Sequence, residues 1–198
     1  MLVVERMTPN PIVVTPETTV SEALRIMEDK HFRHLPVVDD EGSLIGIVSE
    51  KDLLRADARI PIRQIMTTDV ITVTEYTPLE QAARIMSDRK ISSLPVMRSS
   101  RLVGILTETD LFKIFLELLG ARQEGVRLTM LVPEEPGILA NLTAEIATMG
   151  GNILAMGTFM GEDPTNRMIT VKVEHVPERK LVAVMEALGM EIIDVREV

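Results

Sequence analysis

The sequence predicts an α+β protein in which two copies of a β-α-β-β-α unit precede a third unit of β-α-β-β-α-β order. The first observation is a repeat, because the segment that begins at Met7 occurs again from Met66, at an offset of 59 residues. The second is a change in the order of apolar runs after residue 125. The third is composition, since 45% of the 198 residues are hydrophobic, enough to build real cores. We expect domain boundaries at 1–60, 61–124 and 125–198.

The repeat matches apolar residues, prolines and glycines together. Pro36 of the first copy corresponds to Pro95 of the second, and Gly46 corresponds to Gly104 after the second copy has lost one residue in its turn. A repeated supersecondary unit of this kind cannot cover its own hydrophobic face. We therefore expect the two copies to pack on each other as a pseudo-twofold pair.

Local patterns predict the elements of each copy. Short apolar runs bounded by turn residues indicate strands, and apolar residues three and four apart indicate helices. In the first copy these patterns predict strands over 11–15, 35–38 and 44–48, an acidic turn at 39–42, and helices over 21–30 and from Ser49 to Arg55. The second copy repeats this order over residues 70–118, and residues 56–64 are expected to link the copies.

Composition excludes several classes of function. A net charge of −9 and an aromatic content of 3% leave little material for phosphate neutralisation or base stacking, so we expect no nucleic-acid partner. The absence of cysteine excludes disulfides, iron–sulfur clusters and cysteine nucleophiles. The three histidines are not spaced as metal ligands, and we expect no metal site. No apolar run is long enough to span a membrane and the chain does not start like a signal peptide, so we expect a cytoplasmic protein with no membrane partner.

Three motifs occur in both copies: a hydrophobic-Pro-Val strand, a Gly-Ile-Val/Leu strand, and Ser/Thr-x-x-Asp directly after it. On these motifs residues 7–118 resemble tandem CBS domains, a regulatory module that pairs two β-α-β-β-α units in one disc. The resemblance implies that clefts between the units bind an adenine nucleotide or another adenosine ligand as an effector. It implies no obligatory cofactor.

The Ser/Thr-x-x-Asp motifs carry the chemistry of the expected site. Ser49 and Thr107 stand where they would cap a helix, which leaves backbone N–H groups and the positive end of the helix dipole facing outward for a phosphate. Asp52 and Asp110, one turn later, can accept the hydroxyls of a ribose. The alternative is that both pairs only cap their helices. Two copies at equivalent places favour nucleotide binding.

The resemblance also points to the residues before each Leu-Pro-Val strand as the edge that faces a phosphate. The first copy has Arg33 and His34 there, which are good phosphate ligands, although a solvated corner is the alternative. The second copy offers hydroxyls only, so its ligand is expected to be a less charged adenosine derivative, or its cleft to be empty. The first strand of each copy is expected to contact the adenine and to be buried in either case. The residues concerned are Ser92 and Ser93 for the second phosphate edge, and Ile12 and Ile71 for the adenine.

The third unit has a different order of elements. Strands are expected over 126–132, 153–160, 168–174 and 191–195, and helices over 138–149 and 177–188, which is a ferredoxin-like arrangement. Pro136-Gly137 opens its first helix and Gly151-Asn152 precedes its second strand. With these motifs residues 126–198 resemble an ACT domain, the amino-acid-sensing module of many biosynthetic enzymes.

A weak amino-acid site is expected in this third unit. Glu134 stands where ACT domains usually have Asp or Asn, which puts inherited specificity in doubt. Gly137 would allow close approach of a ligand to the backbone, the helix that starts at Ile138 could take a carboxylate, and Glu134 or Asn152 could take an ammonium group. The alternative is that Gly137 only shapes a turn and that this unit serves to dimerise the chain.

Taken together, two CBS units followed by an ACT domain resemble stand-alone CBS–ACT proteins described as acetoin-utilisation regulators. We expect a non-catalytic homodimeric sensor whose parts reorient on ligand binding, and a regulated protein that the sequence does not identify. No catalytic residue is predicted, and the acids at 39–41 and at Glu162 and Asp163 are assigned to turns. One alternative is an interaction scaffold with vestigial clefts. The other is an enzyme that hydrolyses nucleotides at Ser49 and Asp52.

Overall fold

The computed structural model describes residues 1–161 and 163–198. Glu162, which the sequence analysis assigned to a turn, lies outside the described residues. The chain divides into two compact units, Met1–Phe112 and Lys113–Val198. Both units combine helices with strands, so the predicted α+β class is confirmed.

The two copies of the repeat lie within Met1–Phe112, apart from the end of their last helix. The first copy forms β1 (Thr8–Pro9), α1 (Val20–Lys30), β2 (His34–Val38), β3 (Leu44–Ser49) and α2 (Glu50–Leu53). The second copy forms β4 (Val73–Thr74), α3 (Leu79–Arg89), β5 (Ser93–Arg98), β6 (Arg101–Thr107) and α4 (Glu108–Leu118).

The helices α1 and α3 have equivalent buried stripes and C-terminal caps, and each begins at a residue that favours a helix start. Thr19 and Glu22 form a capping box at the start of α1, and the proline Pro78 precedes α3. Each helix ends at a residue with positive φ, His31 in α1 and Lys90 in α3. Each presents one buried stripe to the core, made of Val20, Ala23 and Met27 in α1 and of Leu79, Ala82 and Met86 in α3.

Each copy contains residues that pack into the sheet and core of the other copy. The 3-10 helices Val3–Glu5 and Ile62–Gln64 occupy equivalent places in the repeat. Val3 and Ile62 are both 0% exposed. The Val3 N–H donates to the carbonyl of Thr77 at 3.0 Å, and the Ile62 N–H donates to the equivalent carbonyl of Thr18 at 2.9 Å. The segment before each copy therefore completes its twin, which is why neither copy is a closed unit.

Segments are also exchanged between the sheets, since residues at the start of each copy pair with a strand of the other copy. β1 pairs antiparallel with β6 of the second copy, and Thr67 makes an isolated antiparallel bridge to Ile47 of the first. The thioethers of Met7 and Met66 lie directly across Gly104 and Gly46, where a Cβ would leave them no room. Gly46 and Gly104 are therefore explained by contact with Met66 and Met7, whose side chains would collide with a Cβ at these positions.

Two predictions about the first copy were wrong in detail. The helix after Ser49 ends at Leu53 and does not reach Arg55, because the chain turns back to bring Ile62 into the core of the first copy. Residues 56–64 are for the same reason more than a linker. The strand expected over 11–15 is reduced to a parallel bridge between Val14 and Val37.

The unit Lys113–Val198 contains the expected β-α-β-β-α-β order. Its elements are β7 (Val126–Pro133), α5 (Ile138–Thr148), β8 (Asn152–Met160), β9 (Asn166–Glu174), α6 (Glu178–Ala187) and β10 (Glu191–Glu197). The strands form one antiparallel sheet in the order β10-β7-β9-β8. Residues such as Leu128, Val171 and Leu142 close its core at 0% exposure. Across both units, no described helix has the length and apolar character of a membrane span.

Candidate functional site

The motif Ser/Thr-x-x-Asp folds into the same corner in both copies. In the first, the backbone N–H and the hydroxyl of Ser49 donate to Oδ2 of Asp52 at 3.0 and 2.5 Å, and the Asp52 N–H donates back to Ser49 Oγ at 3.3 Å. In the second, Thr107 and Asp110 make the same three bonds at 3.0, 2.7 and 3.3 Å. All four side chains are half-buried. Each motif is therefore a capping box that holds a carboxylate at a fixed position.

The phosphate edges lie beside these corners. In the antiparallel hairpins, His34 pairs with Ser49 and Ser93 pairs with Thr107. The first residue of each following helix also donates its N–H to the residue before the strand. Glu50 donates to the carbonyl of Arg33 at 2.9 Å and Glu108 to that of Ser92 at 3.0 Å. The structure thus brings together, within each copy, the edge and the capping pair that the sequence analysis proposed as one site.

The two edges meet across the pseudo-twofold pair. His34 Nε2 and the hydroxyl of Ser92 are 2.9 Å apart, which joins the first copy to the second through a hydrogen bond. His34 and Ser92 are half-buried, Ser93 is buried, and Arg33 is exposed. Sequence reasoning placed these residues in separate clefts and missed the bond between them, because no local pattern reports which copy a side chain faces.

Burial and nearby carboxylates shift the pKa of His34 in opposite directions. Burial is the main cause that lowers the pKa of His34 below its ordinary value, and the positive charge of Arg33 lowers it further. The carboxylates of Asp52, Glu108 and Glu50 raise the same pKa, but less than burial lowers it. Glu50 and Glu108 were not among the predicted site residues, although each directly follows a capping hydroxyl in the sequence.

A lowered pKa of His34 makes stability depend on pH. The unfolded chain binds a proton at this histidine more readily than the folded chain, so stability is complete above about pH 6.5, the ordinary pKa of His, and falls as the pH drops below it. We expect His34→Asn to reduce this loss of stability in urea unfolding compared between pH 7.5 and pH 5.5. The control His31→Asn removes an exposed imidazole at a left-handed position that Asn tolerates. An unchanged pH dependence in His34→Asn would contradict the prediction.

The two isoleucines expected to contact adenine are less covered than the sequence analysis predicted. Ile12 is 38% exposed, and Ile71 is half-buried. The bridge between Val14 and Val37 is parallel, so Ile12 lies two residues earlier, towards the start of β2. Ile71 has the equivalent place beside β5, since Val73 pairs in parallel with Val96. The sequence analysis expected strands to run through both isoleucines, but Ile12 lies before an isolated bridge and Ile71 before β4.

The residues proposed for an amino-acid site are not brought together within one chain. Glu134 follows β7, and both of its carboxylate oxygens accept hydrogen bonds from the guanidinium of Arg167. Gly137 has φ of +94° and caps α5, and Ile138 behind it is half-buried. Asn152 is at the other end of the sheet, where its amide donates to Glu174 at 2.6 Å. Of the two residues that were alternatives for an ammonium group, Glu134 lies at the end of the sheet near Gly137 and Asn152 at the other end, because β7 and β8 present them at opposite ends of β9.

The site contains no evident metal centre. Among residues 1–161 and 163–198, no group of three or more His, Asp or Glu side chains could hold a metal ion. The geometry provides fixed carboxylates, hydroxyls, the exposed guanidinium of Arg33, one exposed isoleucine and one half-buried isoleucine. Such a set can bind and orient a polar ligand.

Comparison with known proteins gives a consistent result. A model of the CBS domain matches residues 3–59 and 62–117. L-aspartate semialdehyde sulfurtransferase of Methanocaldococcus jannaschii is 37% identical over 108 residues, which are 53% of this chain and 21% of that enzyme. The chain thus spans about a fifth of the length of this curated relative.

Three solved structures cover much of the same region. The Vibrio cholerae protein AcuB, named for acetoin utilization, is 35% identical with a TM-score of 0.57, over 62% of this chain and 96% of AcuB. The CBS domain pair of protein MJ0100, solved with 5′-methylthioadenosine and S-adenosyl-L-methionine, is 33% identical with a TM-score of 0.57, over 62% and 98% of the two chains. CBSX2, solved with AMP, is 34% identical with a TM-score of 0.53, over 58% and 96%. The family model covers more than half of the sequence, and the chain belongs to the CBS-domain family.

Proposed function

We propose that this protein is a non-catalytic regulatory sensor that binds an adenosine-containing ligand at the two capping-box corners. The observation that carries the proposal is the duplicated geometry, in which a half-buried carboxylate and a polar edge adjoin in each copy. Two structural neighbours support it, since one was solved with AMP and another with S-adenosyl-L-methionine and 5′-methylthioadenosine.

The first corner has acceptors and an apolar side chain for the ribose and adenine of such a ligand. The capping bonds use Oδ2 of Asp52, while its Oδ1 has no hydrogen-bond partner among the described residues. A carboxylate has about four acceptor sites, so Asp52 can accept ribose hydroxyls without giving up the cap. Ile12, beside the start of β2, would cover one face of the adenine. In the second corner Asp110, held by the same three capping bonds, and Ile71 stand at the equivalent places.

The two corners differ in charge, and this sets their preferences. The first corner has the exposed guanidinium of Arg33, which matches a phosphate, and α2 behind it is a single turn with a small dipole. The second corner has Ser92 and Ser93 and no cation at the equivalent place. The first corner is therefore suited to an AMP-like ligand and the second to a less charged adenosine compound.

A second role is proposed for residues 125–198. Their β-α-β-β-α-β order and the Pro136-Gly137 motif resemble those of an ACT domain. We propose that this domain dimerises the chain. Two observations count against an amino-acid site within one chain: the carboxylate of Glu134 is already paired with Arg167, and Asn152 lies at the other end of the sheet. Ligand binding in residues 1–60 and 61–124 would then be transmitted by rearrangement of a cytoplasmic homodimer to a regulated protein.

Ligand-dependent melting tests the proposal directly. The full chain is heated with AMP, ADP, ATP, S-adenosyl-L-methionine, 5′-methylthioadenosine or free amino acids, and product formation from ATP is measured in parallel. A ligand that binds only the folded state adds about 2.7 kcal/mol at a hundredfold excess over Kd, so an adenosine compound should raise the melting temperature by several degrees. No shift with any adenosine compound would favour the scaffold, and hydrolysis of ATP would favour an enzyme.

A further inference from the structure

A separate hollow lies at the far end of the hairpins from the proposed nucleotide corners. The corners are at the start of β2 and β5, whereas this hollow lies between the turns that join β2 to β3 and β5 to β6. Its volume is about 470 Å³. We name it the hairpin-turn pocket; its polar lining comes from Glu41, Ser43, Arg98, Ser99, Ser100 and Arg101.

Both copies build the pocket, and their backbones hold it in place. An antiparallel bridge joins Ser43 of the first turn to Arg101 of the second hairpin. In the first turn, Oδ1 of Asp39 accepts the N–H groups of Glu41 at 3.0 Å and of Ser43 at 2.8 Å. In the second hairpin, Arg98 pairs with Arg101 across a two-residue turn in which Ser99 has φ of +55°. The pocket is therefore lined by turns of defined shape.

The lining contains two arginines and one acid. Nε and Nη2 of Arg98 donate to Glu75, a carboxylate in a residue only 3% exposed, so this arginine is held in one orientation and retains Nη1 as a donor. The side chain of Arg101 is exposed and makes no hydrogen bond or ion pair among the described residues. Glu41 is the single acid in the lining. Asp39 and Asp40 precede Glu41 in the same turn, and Glu75 pairs with Arg98, so Arg101 is the cation of the lining that has no ion-pair partner among the described residues.

We propose that the hairpin-turn pocket binds a phosphate group, as free phosphate or as a small phosphomonoester. The planar fork of Arg101 matches two phosphate oxygens, the fixed Arg98 adds a second cation, and the hydroxyls of Ser43, Ser99 and Ser100 supply neutral donors. The site is independent of the nucleotide corners, which use Arg33 and the opposite ends of the same strands. It places an anion where residues of both copies contact it.

Titration calorimetry of the full chain with inorganic phosphate, and separately with ribose 5-phosphate, tests the proposal. Arg101→Gln should weaken binding of the better probe by about tenfold to a hundredfold, the usual effect of losing a charge-assisted hydrogen bond. Ser100→Glu, which adds a carboxylate at the turn, should abolish binding without altering the pair of Arg98 and Glu75. Tighter binding of ribose 5-phosphate than of phosphate would identify a phosphomonoester as the ligand, and the reverse would identify free phosphate.

A control variant separates this site from a general effect of charge. Arg84→Gln removes the same charge from the exposed side of α3 and should leave phosphate binding unchanged. The proposal is overturned if neither probe binds, if Arg101→Gln binds as wild type does, or if Arg84→Gln loses as much affinity as Arg101→Gln. Circular dichroism and melting temperatures confirm that each variant is folded before it is titrated.

Discussion

Replacing Asp52 with alanine should weaken binding of an AMP-like ligand at the first corner by about tenfold to a hundredfold, because ribose hydroxyls lose a charged acceptor. Asp110→Ala should have the same effect on the second corner and on its less charged ligand. The two carboxylates hold equivalent positions in matched capping boxes, so their effects should be separable by ligand. Calorimetric titration of each single variant and of the double variant with AMP and with 5′-methylthioadenosine measures both.

The same substitutions also break a cap, and this needs its own control. Loss of a capping side chain costs about 1 kcal/mol, which could lower affinity indirectly through the fold. Glu22→Ala breaks the equivalent capping box of Thr19 and Glu22 at the start of α1, outside the proposed corners. It should lower stability by a similar amount and leave ligand affinity unchanged. If the double Asp52→Ala, Asp110→Ala variant binds every adenosine ligand as wild type does, the capping-box corners do not hold the ligand and the proposed site is wrong.

Local signals explain why much of the fold was predictable. The capping motifs at Ser49 and Thr107, the buried stripes of α1 and α3, and the turn at Gly137 are each encoded within a few neighbouring residues. A duplicated sequence adds that an element of one copy is expected in the other, although the helix after the capping box has 4 residues in the first copy and 11 in the second. The elements and the composition of each corner follow from these signals.

Contacts between distant segments were not predictable in the same way. Residues 1–6 and 60–65 share no visible motif, although Val3 and Ile62 occupy equivalent buried places. The bond between His34 and Ser92 and the pairing of Glu134 with Arg167 likewise join residues far apart in sequence. A single sequence reports the chemistry of such side chains but not their partners, so the expected amino-acid site combined residues that the sheet separates.

Because residues 1–9 pack on the second copy, a destabilising substitution at Val3 should lower the stability of the second copy. Val3 is 0% exposed and its backbone is bonded to Thr77, at the approach to α3. Val3→Asp would bury a carboxylate with no evident partner, and should cost at least about 3 kcal/mol of the free energy of unfolding. Val4→Asp is the matched control, since Val4 is 39% exposed and its carboxylate would reach water. Urea unfolding measures both changes.

Amide hydrogen exchange of the Val3→Asp variant shows which elements lose stability. If residues 1–9 complete the second copy, Val3→Asp should reduce amide protection in β5, β6 and α3 before it does so in α1 and β2. Equal loss of protection in both copies would mean that the pair unfolds as one cooperative unit. Loss of protection confined to α1 and β2 would contradict the claim that residues 1–9 pack on the second copy. An interface built from exchanged segments gives each copy a direct dependence on its twin. A ligand that shifts one corner therefore acts on a structure in which each copy is bonded to a segment of its twin.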